Sequence, residues 1–497
     1  MTAVNAGASS ACTNWATIDW EQVEKHVKRL QVRIAKATRD GKRGKAKALQ
    51  WLLTHSHHAK LLAVRRVTQN KGSKTPGVDG VIWDTNKKKS DAVKALKRRG
   101  YKPQPLRRIY IPKRNNQKRP LGIPCLIDRS QQALHLLGLE PISETLSDLN
   151  AYGFRPRRSV ADAIEQCFRS LCMKGSAQWI LEGDIKSCFD KINHQWLAEN
   201  IPMDEAILKQ WLNSGFIEKN VFYRTDAGTP QGGVISPTLM LLTLRGMEDV
   251  VKQARPKRQN KVNYISYADD FVITATSKDM LENQVKPTVQ AFLNERGLEL
   301  SEEKTKITHI DDGFDFLGFN IRKYNGKLLI KPAKKNVLDF VRNIRAVIKK
   351  HAAISAGDLI AILNPKLQGW ANFYRHSVAS KTFSYVDNQI HLALRRWAKR
   401  RHPNKSNLWT MRKYFCTVGQ DNWVFHGQTS VGGSTFDVHL VKVARTPIRR
   451  HTKIRCEANP YDPAFDEYFI ERRRKKKDGA KENNSRNHWF DTPQPAF

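Results

Sequence analysis

The sequence lacks the marks of a membrane protein, a disulfide scaffold or a zinc ribbon. Its seven cysteines (Cys12, Cys125, Cys167, Cys172, Cys188, Cys416 and Cys456) include no C-x-x-C pair, and a chain this long does not depend on a small disulfide framework. They read as reduced thiols. Nowhere do 18 uncharged apolar residues stand together, and the opening MTAVNAGASSACTNW has no basic start followed by an apolar run, so neither a membrane span nor secretion is expected. Acid is scarce as well: 47 Asp and Glu face 86 Lys and Arg, a formal net charge of +39, which repels itself unless a polyanion neutralises it. Nucleic acid is the expected partner. With 40% apolar residues, 12 Trp and 20 Phe in 497 residues, the chain is too hydrophobic for a disordered basic tail and long enough for about three domains.

Spacing sets out the organisation. Trp20, Val23, Val27 and Leu30 recur three or four apart among Lys25, Lys28, Arg29 and Arg33, which predicts an amphipathic helix. Gly41 and Gly44 interrupt it, and residues 44–67 read as a second helix that ends before the loop TQNKGSKTPGVDG. From about 105 to 325, β-rich runs alternate with helical stretches, the pattern of a sheet domain with active residues at its strand ends. RRIYIP (107–112), WILEGDI (179–185), KVNYISY (261–267) and FVITAT (271–276) are the expected strands. Beyond Asn336, Val337, Phe340, Val341, Ile344, Val347 and Ile348 share one helical face, and Phe383, Val386, Ile390, Leu394 and Trp397 share another. Past Arg412 come a Gly-rich region, the basic segment RTPIRRHTKIRCEANPYDP and the run ERRRKKK at 471–477.

Three acids carry the chemistry. Asp269 and Asp270 stand in YADD between two β-rich runs, which reads as a tight hairpin with its acids at the tip. A solvated turn explains adjacent aspartates equally well. Asp184, however, closes the apolar run WILEGDI, so that all three carboxylates are expected at one exposed sheet end. Carboxylates brought together repel unless a cation sits among them, and Mg²⁺ suits such oxygens together with substrate phosphates. Two such ions can activate a 3′-hydroxyl and stabilise a leaving pyrophosphate, which is nucleotide-polymerase chemistry.

DIKSCFDKINH, TPQGGVISP and YADD, in that order, together with RRIYIPKRNNQKRPLGIP (107–124), AYGFRPRRSVADAI (151–164) and FDFLGFNI (314–321), resemble the motif set of group II intron-encoded reverse transcriptases, or maturases. RLQVRIAKATRDGKRGKAKALQWLLTHS resembles their chloroplast-like bacterial class. The resemblance spans about residues 20–475. It implies an α+β right-hand polymerase: an N-terminal helical extension (1–60), fingers and palm with a mixed or antiparallel sheet (61–332), and an all-α thumb or X domain (333–415). A basic DNA-binding-like region (416–477) and a disordered tail (478–497) follow.

The resemblance also implies roles for individual residues. Asp184, Asp269 and Asp270 would hold two Mg²⁺ ions, with Mn²⁺ as the alternative; the Ile185 carbonyl would assist, and Asp270 would be the weaker ligand. Lys113 and Arg119 would bind the triphosphate of an incoming dNTP, where an ammonium and a guanidinium fork suit phosphate. Phe189 would be the steric gate against a ribose 2′-hydroxyl, and Gln231 would contact the nucleotide. Gly232 and Gly233 would let backbone approach the template-primer. Lys304 or Lys306, undistinguished by sequence, would lie near the triphosphate, and Phe316, Leu317, Gly318 and Phe319 would form the primer grip. Core packing accounts equally well for any one of these phenylalanines, and a turn for any one of the glycines.

The expected function is RNA-directed DNA synthesis combined with binding of a host group II intron RNA, help in its splicing and support of its mobility. An RNA-binding maturase with little polymerase activity and a domesticated reverse transcriptase are the alternatives. RNA template with DNA primer, target DNA and dNTP are the further partners, in a bacterial cytoplasm or an organelle. The segment IRRHTKIRCEANPYDPAFDEYFIERR resembles the family's DNA-binding region. No pair of C-x-x-C motifs follows it and His488 stands alone, so no HNH endonuclease is expected, and mobility would take its primer from elsewhere, such as a nascent strand at a replication fork.

Overall fold

A computed structural model describes residues 15–112, 118–254, 261–431 and 434–475. Lys113 and the expected tail at 478–497 lie outside the described residues. The chain forms two compact units. The first comprises the chain up to Ser159, Leu181–Ile307 and Arg455–Asp466; the second comprises Val160–Ile180, Thr308–Ile454 and the chain from Glu467 onward. No helix among the described residues is long and apolar enough to cross a membrane.

In the first unit, the helices Trp20–Arg39, Arg43–His55 and His57–Thr68 pack on the long helix Leu126–Leu146, and Asn86–Ala95 packs on His57–Thr68. Asp19 starts the first of them by accepting from the Gln22 amide at 3.1 Å, a standard use of Asp at a helix N-terminus. Val23, Val27, Ile34, Leu53, Val64, Val67, Leu126 and Leu134 form a shared apolar core. The helix expected over 44–67 is in fact two. Ser56, extended at φ −67° and ψ 131°, ends one and begins the next, in keeping with a preference of serine for helix ends over interiors. The boundary expected at residue 60 falls inside the second of the two. The loop after them is held from within: the Arg129 guanidinium donates to the carbonyls of Gly72, Thr75 and Pro124 at 2.9, 2.7 and 2.8 Å.

One sheet lies within this unit, and most of a second belongs to it, the ends of Trp179–Gly183 and Lys306–His309 falling in the other. The hairpin Leu106–Pro112 and Lys118–Ile123 is antiparallel, with Ile111 opposite Arg119. Leu106 pairs in parallel with Phe216, and Phe216–Glu218 turns back on Val221–Tyr223, so the sheet is mixed. The other sheet has the order Asn263–Tyr267, Asp270–Ala275, Trp179–Gly183, Lys306–His309, matching three of the expected strands. Glu144 is a buried anchor: Arg155 donates to Oε2 from Nε at 2.9 Å and to Oε1 from Nη2 at 3.0 Å, and Arg158 donates to Oε1 as well while reaching the Cys456 and Ala458 carbonyls at 3.0 and 3.2 Å.

The second unit carries the helices Lys334–Lys350, Ala356–Tyr374, Ser380–Arg401 and Asn407–Tyr414. Val337, Val341, Ile344 and Ile348 are buried on one face and Phe383, Val386, Ile390, Leu394 and Trp397 on another, as their spacing predicts. Trp370 stacks flat on Phe340 at 4.6 Å, and Tyr374 packs on Phe319 at 5.0 Å. The strands Phe314–Phe316, Phe319–Tyr324 and Lys327–Pro332 form one antiparallel sheet. A second one, Phe415–Val418, Asp421–Val431 and Ser434–His439, occupies what the sequence marked only as Gly-rich. Much of the basic segment's polar chemistry is internal. Asp162, wholly buried, accepts from the Ile454 amide at 2.8 Å and from Arg472 at 2.9 Å, with His451 Nε2 also 2.9 Å away.

Candidate active site

The acids of YADD owe their position to glycine. In the hairpin of Asn263–Tyr267 and Asp270–Ala275, Tyr267 pairs with Asp270, leaving Ala268 and Asp269 as the two-residue turn. Ala268 sits at φ +60°, which an L-residue adopts only when its surroundings demand it. The demand comes from AYGFRP. Tyr152 N donates to Ser266 O at 2.9 Å and Ser266 N to Asn150 O at 3.0 Å, laying this segment along the hairpin. A Cβ on Gly153 would stand 2.8 Å from the Tyr267 carbonyl carbon and closer still to the Ala268 amide nitrogen. Asp184 is placed in the same way. A Cβ on Gly183 would meet the Phe271 ring edge at 2.8 Å or less, so only glycine lets Trp179–Gly183 end against the hairpin. The next residues are tied to a neighbouring loop: Ser301 N donates to Asp184 O at 2.8 Å, Lys186 N to Glu299 O at 2.9 Å, and Ile185 bridges Leu300.

The three carboxylates line one open groove of about 1330 Å³ with Ile185, Arg119, Phe189, Gln231, Gly232, Gly233 and Lys304. Burial raises both Asp269 and Asp270 above the usual carboxylate range. Repulsion from Asp184 adds to the rise of each, and repulsion from Asp269 helps push Asp270 up to about 6. Arg119 and Lys304 oppose the rise at Asp269. Lys304 Nζ lies 2.9 Å from Asp184 Oδ2; with the lysine side chain 64% exposed, such a pair is worth little in stability. The same hydrogen bond raises the Lys304 pKa. Of the two lysines left open by sequence, Lys304 lines the groove, whereas Lys306 opens an exposed strand end.

Among the described residues, no three His, Cys, Asp or Glu side chains form a ready-made metal cage. The donor set still fits a hard divalent cation. Mg²⁺ takes one or two carboxylates and completes its shell with water and substrate phosphate, and the Lys304 ammonium already stands as a cation on Asp184.

Phe189 is half-buried, not a core residue, and the exposed Phe154 meets it edge-to-face at 6.3 Å. Phe154 was missed by sequence reasoning. Its motif was legible, but that it lines the groove and meets Phe189 shows only in the structure. Asp190 was missed as well: Gln231 Nε2 lies 3.4 Å from both of its carboxylate oxygens. The two glycines of TPQGG are required by protein contacts. A Cβ on Gly232, at φ +120°, would stand 2.6 Å from the Gly122 carbonyl, and one on Gly233 would stand 2.6 Å from Ser236 Oγ. Gly122 N donates to Gln231 O at 2.8 Å, binding this loop to the strand that carries Arg119.

Phe316, Leu317, Gly318 and Phe319 belong to the second unit. Phe316 pairs with Phe319, both rings are buried, and Leu317 (φ +50°) and Gly318 (φ +85°) make the turn. Tyr374 Oη donates to the Gly318 carbonyl at 3.1 Å, and a Cβ on Gly318 would stand 2.7 Å from Asn336 Nδ2. The rings are packing, and the turn's backbone is half-exposed.

Comparison with known proteins gives three successive family matches. "Reverse transcriptase (RNA-dependent DNA polymerase)" matches residues 111–321, "N-terminal domain of reverse transcriptase" residues 15–96, and "Group II intron, maturase-specific domain" residues 337–415. The group II intron-encoded protein LtrA of Lactococcus lactis subsp. cremoris is 30% identical, with 63% of this chain and 68% of that protein covered. Protein YkfC of Escherichia coli (strain K12) is 34% identical, covering 52% and 79%. Among solved structures, a telomerase from Candida albicans in complex with a fragment of telomeric RNA aligns at TM-score 0.37 and 12% identity, covering 63% of this chain and 64% of that one.

Proposed function

The chain belongs to the group II intron-encoded reverse transcriptases, and from that premise we propose that the groove bearing Asp184, Asp269 and Asp270 is where it copies RNA into DNA. The observation that carries the proposal is the crowding of three carboxylates, two of them with raised pKa, on a groove that also presents Arg119 and Lys304. Negative charge concentrated in this way favours a bound cation, and cationic side chains beside it favour a triphosphate.

In this proposal Asp184, Asp269 and Asp270, with the Ile185 carbonyl, would hold two Mg²⁺ ions, which would supply Lewis acidity toward a primer 3′-hydroxyl and positive charge toward a pyrophosphate leaving group. The remaining work falls to the chain itself. Arg119 and Lys113 grip the triphosphate of the dNTP. Lys304, on a flexible and exposed stem, holds Asp184 in the free protein and turns to phosphate when nucleotide arrives. Phe189, braced by Phe154, fills the space that a 2′-hydroxyl needs, and Gln231, steadied by Asp190, faces the nucleotide. Gly232 and Gly233 keep their loop thin beside the template-primer, and the turn Phe316–Phe319 supports the primer end.

The maturase-specific segment belongs to the same reading. Residues 61–332 act as fingers and palm, 333–415 as the thumb that also binds intron RNA, and 416–477 as a region for target DNA. Binding to the folded intron selectively would stabilise its active form, leaving the splicing chemistry to the RNA. The test is primer extension on an RNA template beside a splicing assay with the host intron, comparing wild type with Asp269→Ala/Asp270→Ala. DNA synthesis should vanish while assisted splicing persists, because RNA affinity is spread over many cations. Retained synthesis would remove the polymerase assignment from this groove.

A further inference from the structure

A second cavity, of about 510 Å³, lies in the first unit among the helices Arg43–His55, His57–Thr68 and Leu126–Leu146 and the segment Leu96–Arg99. Its size falls within the roughly 300–1,000 Å³ of small-ligand sites, and it shares no lining residue with the polymerase groove. At its rim Trp51 is 56% exposed and lies nearly parallel to the His55 ring, with centroids 4.2 Å apart. A flat, exposed aromatic pair of this kind offers a ready stacking surface.

The cavity's charge is of one sign. Lys60, Lys97, Arg98 and Arg99 line it with no acid. Arg98 is paired with Asp204 outside it, but among the described residues no carboxylate pairs with Lys60, Lys97 or Arg99. Lys60 is pushed down by burial and by repulsion from Lys97, so two of these cations already crowd each other. The inner wall adds no charge, since burial holds His135 down to about 4 and therefore neutral. Leu96 and Leu134, nearly fully buried, close the inner wall with apolar packing.

An exposed aromatic platform beside cations that no carboxylate neutralises describes a planar heterocycle carrying phosphate. We infer that this cavity receives one unpaired nucleotide of a bound strand, its base against Trp51 and its flanking phosphates against Lys60, Lys97 and Arg99. Unpaired bases are commonly recognised on such platforms. Double-stranded nucleic acid keeps its bases stacked inside and has none to offer. The inference rests on the nucleic-acid-binding reading above and gives it a specific site.

The test uses the full chain and fluorescence anisotropy with a short labelled single-stranded RNA, a DNA of the same sequence and a blunt RNA duplex, at fixed salt. Trp51→Ala should weaken single-strand binding about fivefold or more, leave duplex binding unchanged, and leave the melting temperature in place because the side chain is exposed. Trp51→Phe should restore most of the affinity, and Lys97→Glu should weaken binding and flatten its salt dependence. A loss on RNA alone supports a site that reads the ribose; an equal loss on DNA supports one that reads only base and phosphate. If Trp51→Ala binds single strands like wild type, or loses duplex equally, the cavity is not a nucleotide site. If wild type binds no strand at all, the broader reading fails with it.

Discussion

Replacing Gly153 by alanine should silence polymerisation while leaving the protein folded. The added methyl would stand 2.8 Å from the Tyr267 carbonyl carbon, 2.9 Å from Ala268 Cα and nearer still to the Ala268 amide nitrogen, all of them backbone, so no side chain can swing aside. Relief requires the YADD turn and AYGFRP to part by about an ångström, and a misplacement of that size costs on the order of 100-fold in a reaction that depends on oriented groups. Overpacking of this kind costs about 1–3 kcal/mol in stability, less than most domains possess. The assay is single-nucleotide extension of a DNA primer on RNA under saturating dNTP, beside thermal denaturation. Gly369→Ala, in a helix where the new Cβ would meet nothing within 4 Å, is the control and should keep full activity. An active Gly153→Ala protein would mean that the turn's position does not govern the chemistry, and the glycine argument would fail.

Other outcomes follow from the same contacts. Asp270 has its folded pKa raised to about 6 from 3.8, so the folded state holds this proton more tightly than the unfolded chain. The resulting destabilisation sets in as pH climbs from about 4 through 6. Asp270→Asn should therefore melt higher than wild type at neutral pH without divalent cations, the gap closing toward pH 4; a lower melting point at neutral pH contradicts the repulsion. Glu144→Ala leaves Arg155 and Arg158 buried without their anion and should cost about 3–5 kcal/mol in denaturant unfolding; a loss under 1 kcal/mol would show that the cluster is not a structural anchor. Phe189→Ala should lower the ratio of kcat/KM for dNTP over NTP, and Phe154→Ala should lower it less; an unchanged ratio in Phe189→Ala would assign the gate elsewhere.

How much of this was legible in the sequence depended on whether the signal was local. The helix faces of Val337–Ile348 and Phe383–Trp397 follow from spacing alone, and the YADD hairpin from two β-rich runs around a short turn. Local reading failed where one residue decides direction. Ser56 splits a continuous helical pattern by turning extended, with no hydrogen bond from its side chain to mark the break, so the spacing of apolar residues on either side gave no sign of it. The sheet after Phe415 went unread although Gly432 and Gly433, set between QTSV and STFDVH, are a hairpin signal; the Gly-rich composition hid the strands on either side.

The candidate site divides along the same line. Acid identity was visible in the motifs, but what makes the acids a site is non-local. Gly153 must lack a side chain because of Ala268, more than a hundred positions away, and Gly183 because of Phe271. A turn rich in aspartate has ordinary local reasons to exist; a turn whose Ala268 is held at φ +60° between two such approaches does not. The strain, the two glycines and the mutual repulsion of Asp184, Asp269 and Asp270 are three separate costs borne at one place. A chain under no demand there would relieve the strain by Ala268→Gly and the repulsion by Asp270→Asn, and the coexistence of both costs in a packing that admits only glycine at 153 and 183 is the physical argument that this groove is where the protein acts.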